Sequence, residues 1–403
     1  MTHTVQPKET LYSISKKYGL TVDQILQMNG MSSPNLSIGQ VLNVGGSSSG
    51  YSSDPSPYSS GGSSSYSSGG SSSDPYLYPP SGGGANKPYV PDYNPPAPTP
   101  SRESTYGGGG GYAAPSQSVQ VQKTNQGSSN VYTISFPTPN GTMTKTVKDR
   151  YNSPNTVNQN GISYAGSSSI NNYFDFVASL CPQPFYAKIL QYISKQEGCF
   201  DAVNSYDKAI FSFGFIQFTG AVASGSVLTK VLQRFKNLDP SSFDNLLGTY
   251  GMNVGSSGFS VGSKQGDSAY MEVANNMTLT TAFISTGYSE AMIQAQVEVA
   301  LEEYVNKAVS PSLMINIRGA NVPIGNIISS EGGIAFRVDL SVNRGLSGSL
   351  AVLKPAIEQI SSGSNLYSLD ETAIVRQVAN NDTQSWKKDR VLKILNSGFS
   401  FYK

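Results

Sequence analysis

The stretch from about residue 46 to residue 125 decides how the rest of this chain is able to fold. It opens "GGSSSGYSSDPSPYSSGGSSSYSSGGSSSDPYLYPPSGGG" and continues through "PDYNPPAPTPSRESTYGGGGGY", so Ser, Gly, Tyr and Pro dominate and aliphatic side chains almost vanish. Ordering a residue's backbone costs roughly 1–2 kcal/mol, and this tract has too little apolar surface to offset it. It reads as a flexible, disordered linker whose scattered tyrosines stack weakly at most. A chain cut in this way is multidomain: residues 1–45 and 126–403 fold separately, and residues 126–170 supply short strands and a loop leading into the second unit. The tract also explains why only 13% of the 403 residues are charged, against a usual quarter.

Several chemistries are excluded early. Net charge is +1 with no Lys/Arg-rich run, so no nucleic-acid partner is expected. No apolar run approaches the ~20 residues of a membrane span, so no membrane insertion is expected. The opening "MTHTVQPKETLYSISKK" lacks a charged segment followed by an apolar one, hence no Sec signal is read. His3 is the one histidine. A Ser-His-Asp triad, a Cys-His pair or a His-ligated zinc centre in the long C-terminal unit is therefore ruled out. Carboxylate, Tyr, Lys or Ser-Lys chemistry remains. No ligand cluster calls for a metal or organic cofactor. Cys181 and Cys199 fit two buried thiols, with a disulfide between them as the alternative.

In residues 1–45, "HTVQP" opens as a strand. Thr10 is placed to cap a helix carrying Leu11, Ile14 and Tyr18 at helical spacing, stopped by Gly19. Thr21 caps a second helix with Val22, Ile25, Leu26 and Met28 inward, ended by Asn29-Gly30. "NLSIGQVLNV" then gives a turn and a closing strand. The Val-x-Pro, Thr-Leu-x-x-Ile, Tyr-Gly-Leu-Thr, Asn-Gly and Asn-Leu-x-x-Gly-Gln-x-Leu elements, in that order, resemble a LysM domain along the whole segment. The resemblance implies a small βααβ fold that binds peptidoglycan or another N-acetylglucosamine-containing glycan. Its groove contacts carry over to Thr10, Leu11, Asn29, Gly30, Pro34, Asn35, Leu36 and Ile38. For Leu11, Leu36 and Ile38 a purely packing role stands equally well. The family's usual Gly-Asp-Thr-Leu reads Lys8-Glu9-Thr10-Leu11 here, which alters the loop backbone.

Beyond the linker, "NVYTISFP" and "TMTKTVKD" read as two strands joined across "TPNG". The remainder reads as mainly helical (α+β), with a small β-hairpin region near residues 200–220. "PFYAKILQYISKQE" has Pro184 at its first turn and Phe185, Ile189, Tyr192 and Ile193 on one face, with Gly198 as its stop. Glu197 falls in the last turn, where the helix dipole disfavours an acid. With apolar neighbours this is a setting that keeps a carboxyl protonated, as a general acid for glycosidic cleavage requires. "IFSFGFIQF" alternates like a hairpin strand, with Gly214 allowing close approach to a ligand. Phe213, Phe215 and Ile216 read as core. Glu272, Glu302, Glu303 and Glu331 read as solvated helix acids.

A helix-end Glu followed by "YD" and "SFGFIQ" resembles the lysozyme-like superfamily: phage-type lysozymes in "EG…YD…S-x-G", lytic transglycosylases and goose-type lysozymes in "E…S-F-G-F-I-Q". "DLSVNRG" and "DRVLKILNSGFSF" are loosely similar to chitosanase-like members. The resemblance implies a glycosidase acting on peptidoglycan, with Glu197 as general acid and Asp207, or else Asp201, as second carboxylate. Tyr206, Ser212 and Gln217 are its expected sugar contacts. A separation of about 5–5.5 Å between the carboxylates means retention and about 6.5–9.5 Å inversion, while a transglycosylase needs only Glu197. The chain would then be made in the cytoplasm and act at the cell wall after lysis, within a particle or by a non-Sec route. The alternative is a non-catalytic wall-binding component of a phage tail, injection particle or spore layer, with phage or injection-particle partners. Chitosanase or chitinase action is a third reading.

Overall fold

The computed structural model describes residues 1–6, 14, 17–18, 20, 22–31, 39–45, 118–150, 156–221, 226–361 and 365–402. In the N-terminal unit, β1 (Thr2–Thr4) pairs antiparallel with β2 (Val41–Asn43), His3 opposite Leu42. A helix, α1 (Val22–Met28), packs on this ribbon. Val5, Ile14, Ile25, Leu42 and Val44 form its small core, and the His3 Nδ1 and Tyr18 hydroxyl hydrogen-bond at 2.9 Å. Asn29 and Gly30 follow α1 as the stop signal implied, with Gly30 at φ 60°.

The C-terminal unit is a mixed α/β body, richer in strand than its sequence suggests. β3 (Gln120–Gln126), β4 (Ser129–Thr138) and β5 (Gly141–Lys148) form an antiparallel meander. Because β3 pairs along β4 from Gln120 onward, ordered structure starts ahead of residue 126, inside the segment read as linker. The polar "QVQKTNQ" carries no strand alternation, so only pairing reveals it. A second sheet has the order β6 (Ser163–Tyr164), β7 (Val203–Asn204), β8 (Ser212–Phe213), β9 (Phe218–Thr219). Two further small sheets, Met252–Gln265 and Met314–Pro323, were also invisible to the pattern.

Two helices lie between β6 and β7: α2 (Phe174–Leu180) and α3 (Pro184–Glu197), the latter bounded by Pro184 and Gly198 as expected. The rest are α4 (Val227–Leu238), α5 (Pro240–Leu246), α6 (Asp267–Asn275), α7 (Met277–Thr286), α8 (Glu290–Ala300), α9 (Asn306–Val309), α10 (Glu331–Ile360), α11 (Glu371–Asn381) and α12 (Ser385–Lys393). A π-helical turn, Leu301–Val305, joins α8 to α9. Helix α10 is two helices joined at Gly345, whose φ 70° and ψ 164° break the helical path.

One apolar core runs through this unit. Phe211 and Phe213 meet Phe283 edge-on at 4.9 and 5.5 Å between ring centroids, and Phe259 stacks on Tyr270 at 4.6 Å. Truncating any one such phenylalanine to Ala costs about 3–5 kcal/mol, a large share of a domain's 5–15 kcal/mol. Phe213, Phe215 and Ile216 are all buried here, as read. No described helix is long and apolar enough to cross a membrane.

Candidate active site

Helix α3 buries Tyr186, Ala187, Ile189, Leu190, Ile193 and Ser194, which leaves its last turn at the edge of the core. Gly198, at φ 148°, ends it there, and a side chain at this position would strike Ala202. Glu197 is thereby fixed at a domain edge with its side chain 18% exposed. It is also held by a charge that the sequence did not announce. Arg390 Nη1 donates to Glu197 Oε1 at 2.5 Å, and Arg390 Nη2 donates to Asp339 Oδ1 at 2.8 Å. Asp339 is buried on α10 and also receives Gln196 Nε2 at 3.4 Å.

This chain of charges draws on three helices distant in sequence. Burial pushes the Asp339 carboxyl above its ordinary value, against the pull of Arg390. Burial works to lower the Arg390 pKa, but the Asp339 and Glu197 charges outweigh it and raise the guanidinium above the arginine range. Arg390 therefore stays cationic at any working pH and fixes one Glu197 oxygen in place. Asp339 lies in "DLSVNRG" and Arg390 in "DRVLKILNSGFSF".

Tyr304, missed in the sequence, joins this group. The π-helical turn carrying it changes the side-chain phase of α8 and α9. Its ring lies 6.5 Å from Phe218. Burial, then the charges of Glu303 and Glu197, push the phenol up to about 12. It is a neutral hydroxyl within electrostatic reach of Glu197. The segment "LEEYV" reads as ordinary helix, so nothing in it flagged Tyr304.

Gln217 stands beside Glu197's neighbour. Its backbone takes φ 56°, unusual for a non-glycine, and its Nε2 donates to the Gly214 carbonyl at 3.0 Å. A Cβ on Gly198 would sit 3.7 Å from that nitrogen. Gly214 does permit a close approach, but by protein rather than ligand: a Cβ there would collide with the buried Gln296 side chain. Gln296 Oε1 accepts Phe215 N–H, and its Nε2 donates to the Phe200 carbonyl.

The register of β6–β9 sorts its side chains by face. Tyr164, Val203, Phe213 and Phe218 align on one face, and Ser163, Asn204, Ser212 and Thr219 on the other. Ser212 thus lies, buried, in a row of hydroxyls and an amide. Asp207 closes the β7–β8 connection. Its Oδ1 accepts Ala209 N–H at 2.9 Å and its Oδ2 accepts Asn204 Nδ2 at 3.0 Å. Asp207 therefore belongs with Ser212 and Asn204, at the end of β8 away from Gly214 and Gln217. Tyr206 lies under the Arg150 guanidinium, 4.6 Å from ring centroid to Arg150 Cζ.

Asp201, the alternative second carboxylate, is wholly buried. Ser167 and Ser168 N–H donate to its Oδ1 at 2.7 and 2.8 Å, and the Tyr164 and Tyr288 hydroxyls to its Oδ2 at 3.0 Å each. It ties a loop together and has no face toward solvent. Glu272, Glu302 and Glu303 are ion-paired with Lys264, Arg234 and Lys230/Lys307 rather than simply solvated. Cys181 and Cys199 are free thiols, not a disulfide. Among the described residues, no group of three or more His, Cys, Asp or Glu is arranged to hold a metal ion.

In the N-terminal unit, Asn29 acts as a clamp. Its Nδ2 donates to the Ile25 and Asn43 carbonyls at 2.7 and 2.8 Å, and its Oδ1 accepts Asn43 N–H at 2.6 Å. Gly30 is an exposed turn residue. Thr10, Leu11, Pro34, Asn35, Leu36 and Ile38 lie outside the described residues.

Residues 3–45 match the LysM domain family, whose members bind peptidoglycan and other N-acetylglucosamine glycans, so the N-terminal unit is a LysM domain. The N-acetylmuramoyl-L-alanine amidase sle1 of Staphylococcus aureus strains USA300 and NCTC 8325 / PS 47 is 38% identical over 65 residues, 16% of this chain and 20% of that protein. In the bovine strain RF122 / ET3-1 the same 38% identity covers 19% of the relative. The chain thus spans about a fifth of these relatives' length, over the LysM region.

Proposed function

We propose that the C-terminal unit cleaves the glycan strand of peptidoglycan, with Glu197 as general acid and the LysM domain holding the chain on the wall. The observation that carries this reading is the Glu197 carboxylate: at a helix end, partly exposed, and oriented through a single oxygen by Arg390. Gln217 beside Gly198 and, from the hydroxyl row, Ser163 and Thr219 offer amide and hydroxyl groups suited to sugar hydroxyls, whereas Ser212 is buried and Asn204 is bonded to Asp207. Acting as an acid requires Glu197 to accept a proton, so substrate entry must loosen the Arg390 contact. A hydrolase would draw on Asp207 as second carboxylate only by releasing it from Asn204 and Ala209 at the far end of β8, and a transglycosylase, using the sugar's own C6 hydroxyl, dispenses with it. The ion pair also favours a second reading, a wall-binding protein of a particle or layer in which Arg390 permanently neutralises Glu197.

Purified protein and Glu197→Gln are incubated with peptidoglycan sacculi and the soluble products analysed by mass spectrometry. Soluble muropeptides from wild type alone are the expected result. Anhydro ends indicate a transglycosylase and reducing ends a hydrolase. Peptides freed from intact glycan would instead match the chemistry in the amidase relatives' name. Undiminished release by Glu197→Gln removes Glu197 from the mechanism, and wall binding without release by either protein favours the second reading.

A further inference from the structure

Among the described residues, Arg150 is a cation without an anion. It follows Asp149, which bridges to Ile162 at the β6 edge of the second sheet. Its own N–H donates to the Gly161 carbonyl at 2.8 Å, and its carbonyl accepts Thr156 Oγ1 at 3.0 Å. The guanidinium lies over the Tyr206 ring, and its Nε is buried without a hydrogen-bond partner among the described residues. It enters no salt bridge among the described residues, and the nearby Asp207 oxygens are taken by Asn204 and Ala209. The platform is held firmly: Val157 and Asn158 N–H donate to the Tyr206 carbonyl at 2.7 and 2.9 Å. Gly161 packs so tightly that a Cβ there would run into the Ser205 carbonyl and Tyr206 Cα.

A half-buried guanidinium, set over an aromatic ring and with its terminal N–H groups uncommitted among the described residues, is suited to a planar carboxylate. It sits at the edge of the sheet that carries the hydroxyl row. The geometry points to Arg150 and Tyr206 as a subsite for a free carboxylate on the sugar, and so to peptide-free glycan strands whose lactyl groups end in carboxylates, rather than neutral chitin or cationic chitosan. This inference rests on the glycan-cleaving reading of the same unit and narrows its substrate.

The test separates the two. Hydrogen-exchange mass spectrometry on full-length Glu197→Gln reports protection of the segments around residues 156–162 and 203–212, apart from binding at the LysM domain. Three probes are compared: a peptide-free tetrasaccharide of alternating N-acetylglucosamine and N-acetylmuramic acid with free lactyl carboxylates, its methyl ester, and chitotetraose. Protection by the free acid is expected at concentrations about tenfold below those needed for the ester or chitotetraose. Adding Arg150→Gln should erase the difference, and Arg150→Lys should restore part of it. Equal protection by all three probes overturns the proposal, as does a preference for the acid that survives Arg150→Gln. The ester comparison leaves the protein unaltered, so it decides the matter even if Arg150→Gln folds poorly. Protection with this preference but no fragments released from sacculi would retire the glycosidase and leave the carboxylate subsite standing.

Discussion

Arg390 shows how much one side chain can organise. It is 13% exposed and bridges Glu197 to Asp339, which is 2% exposed. Removing one partner of a buried pair leaves the other charge uncompensated, at a cost of about 3–5 kcal/mol, whereas exposed pairs are worth about 0–1 kcal/mol. Arg390→Gln is accordingly expected to lower unfolding free energy by about 3 kcal/mol, read as a reduced urea midpoint at constant slope. Lys230→Gln, which removes a half-exposed ammonium while Lys307 still holds Glu303, should cost under about 1 kcal/mol. A loss that small for Arg390→Gln would show the Asp339 carboxylate to be solvated after all. At this scale Glu197 was legible, because a helix bounded by Pro184 and Gly198 places its last residue without ambiguity. Its partner was not, because 193 positions separate Glu197 from Arg390 and local pattern carries no information across such a gap.

Helix α7 illustrates what an element hides. "MTLTTAFIST" has the composition of a strand, yet Leu279–Thr286 are all buried in helix. The hydroxyls of Thr280, Thr281 and Thr286 donate to the Val273, Met277 and Phe283 carbonyls, and that of Ser285 reaches Pro137. Each polar group is thus satisfied without water, so the helix passes through the core with no amphipathic stripe to read. Helix α4 and the α8–α9 segment make the opposite case, joined by ion pairs from Lys230 and Arg234 to Glu298, Glu302 and Glu303. Burial acts to raise the Glu303 pKa, but Lys230 and Lys307 outweigh it, so its carboxyl sits below the ordinary range. The unfolded chain therefore binds this proton more readily. The resulting stability is present above the ordinary glutamate value of about 4.3 and is lost as pH falls through the lower folded one. Thermal melts at stepped pH should find Glu303→Gln less stable than wild type at pH 7 by about 1 kcal/mol, after allowance for screening at two half-exposed lysines. The difference should close on acidification; one that persists there would assign it to packing.

At the scale of the whole molecule, a LysM domain and the C-terminal unit share one chain, separated by the low-complexity tract. Tethering turns a second binding event into an intramolecular one and raises the local concentration of the second unit. A chain lacking residues 1–45 is expected to release at least tenfold less material from sacculi at low protein concentration. Its turnover of soluble glycan fragments should be unchanged. Equal release by both chains would show that the LysM domain plays no part in delivery.

The sequence by itself determined the LysM domain and the position of Glu197, because both depend on neighbours within a few turns. It also restricted the C-terminal chemistry to groups other than histidine, a matter of composition alone. Tertiary structure decided that Glu197 meets an Arg390–Asp339 ion pair and has Tyr304 near it on a π-helical turn, and that Asp201 goes to a buried loop tie. It also decided which residues of the short strands share a face, since register follows from hydrogen-bonded pairing and a one-residue slip would exchange the serine row for the phenylalanine row. Those outcomes depend on contacts between residues far apart in the chain, and only the folded molecule brings them together.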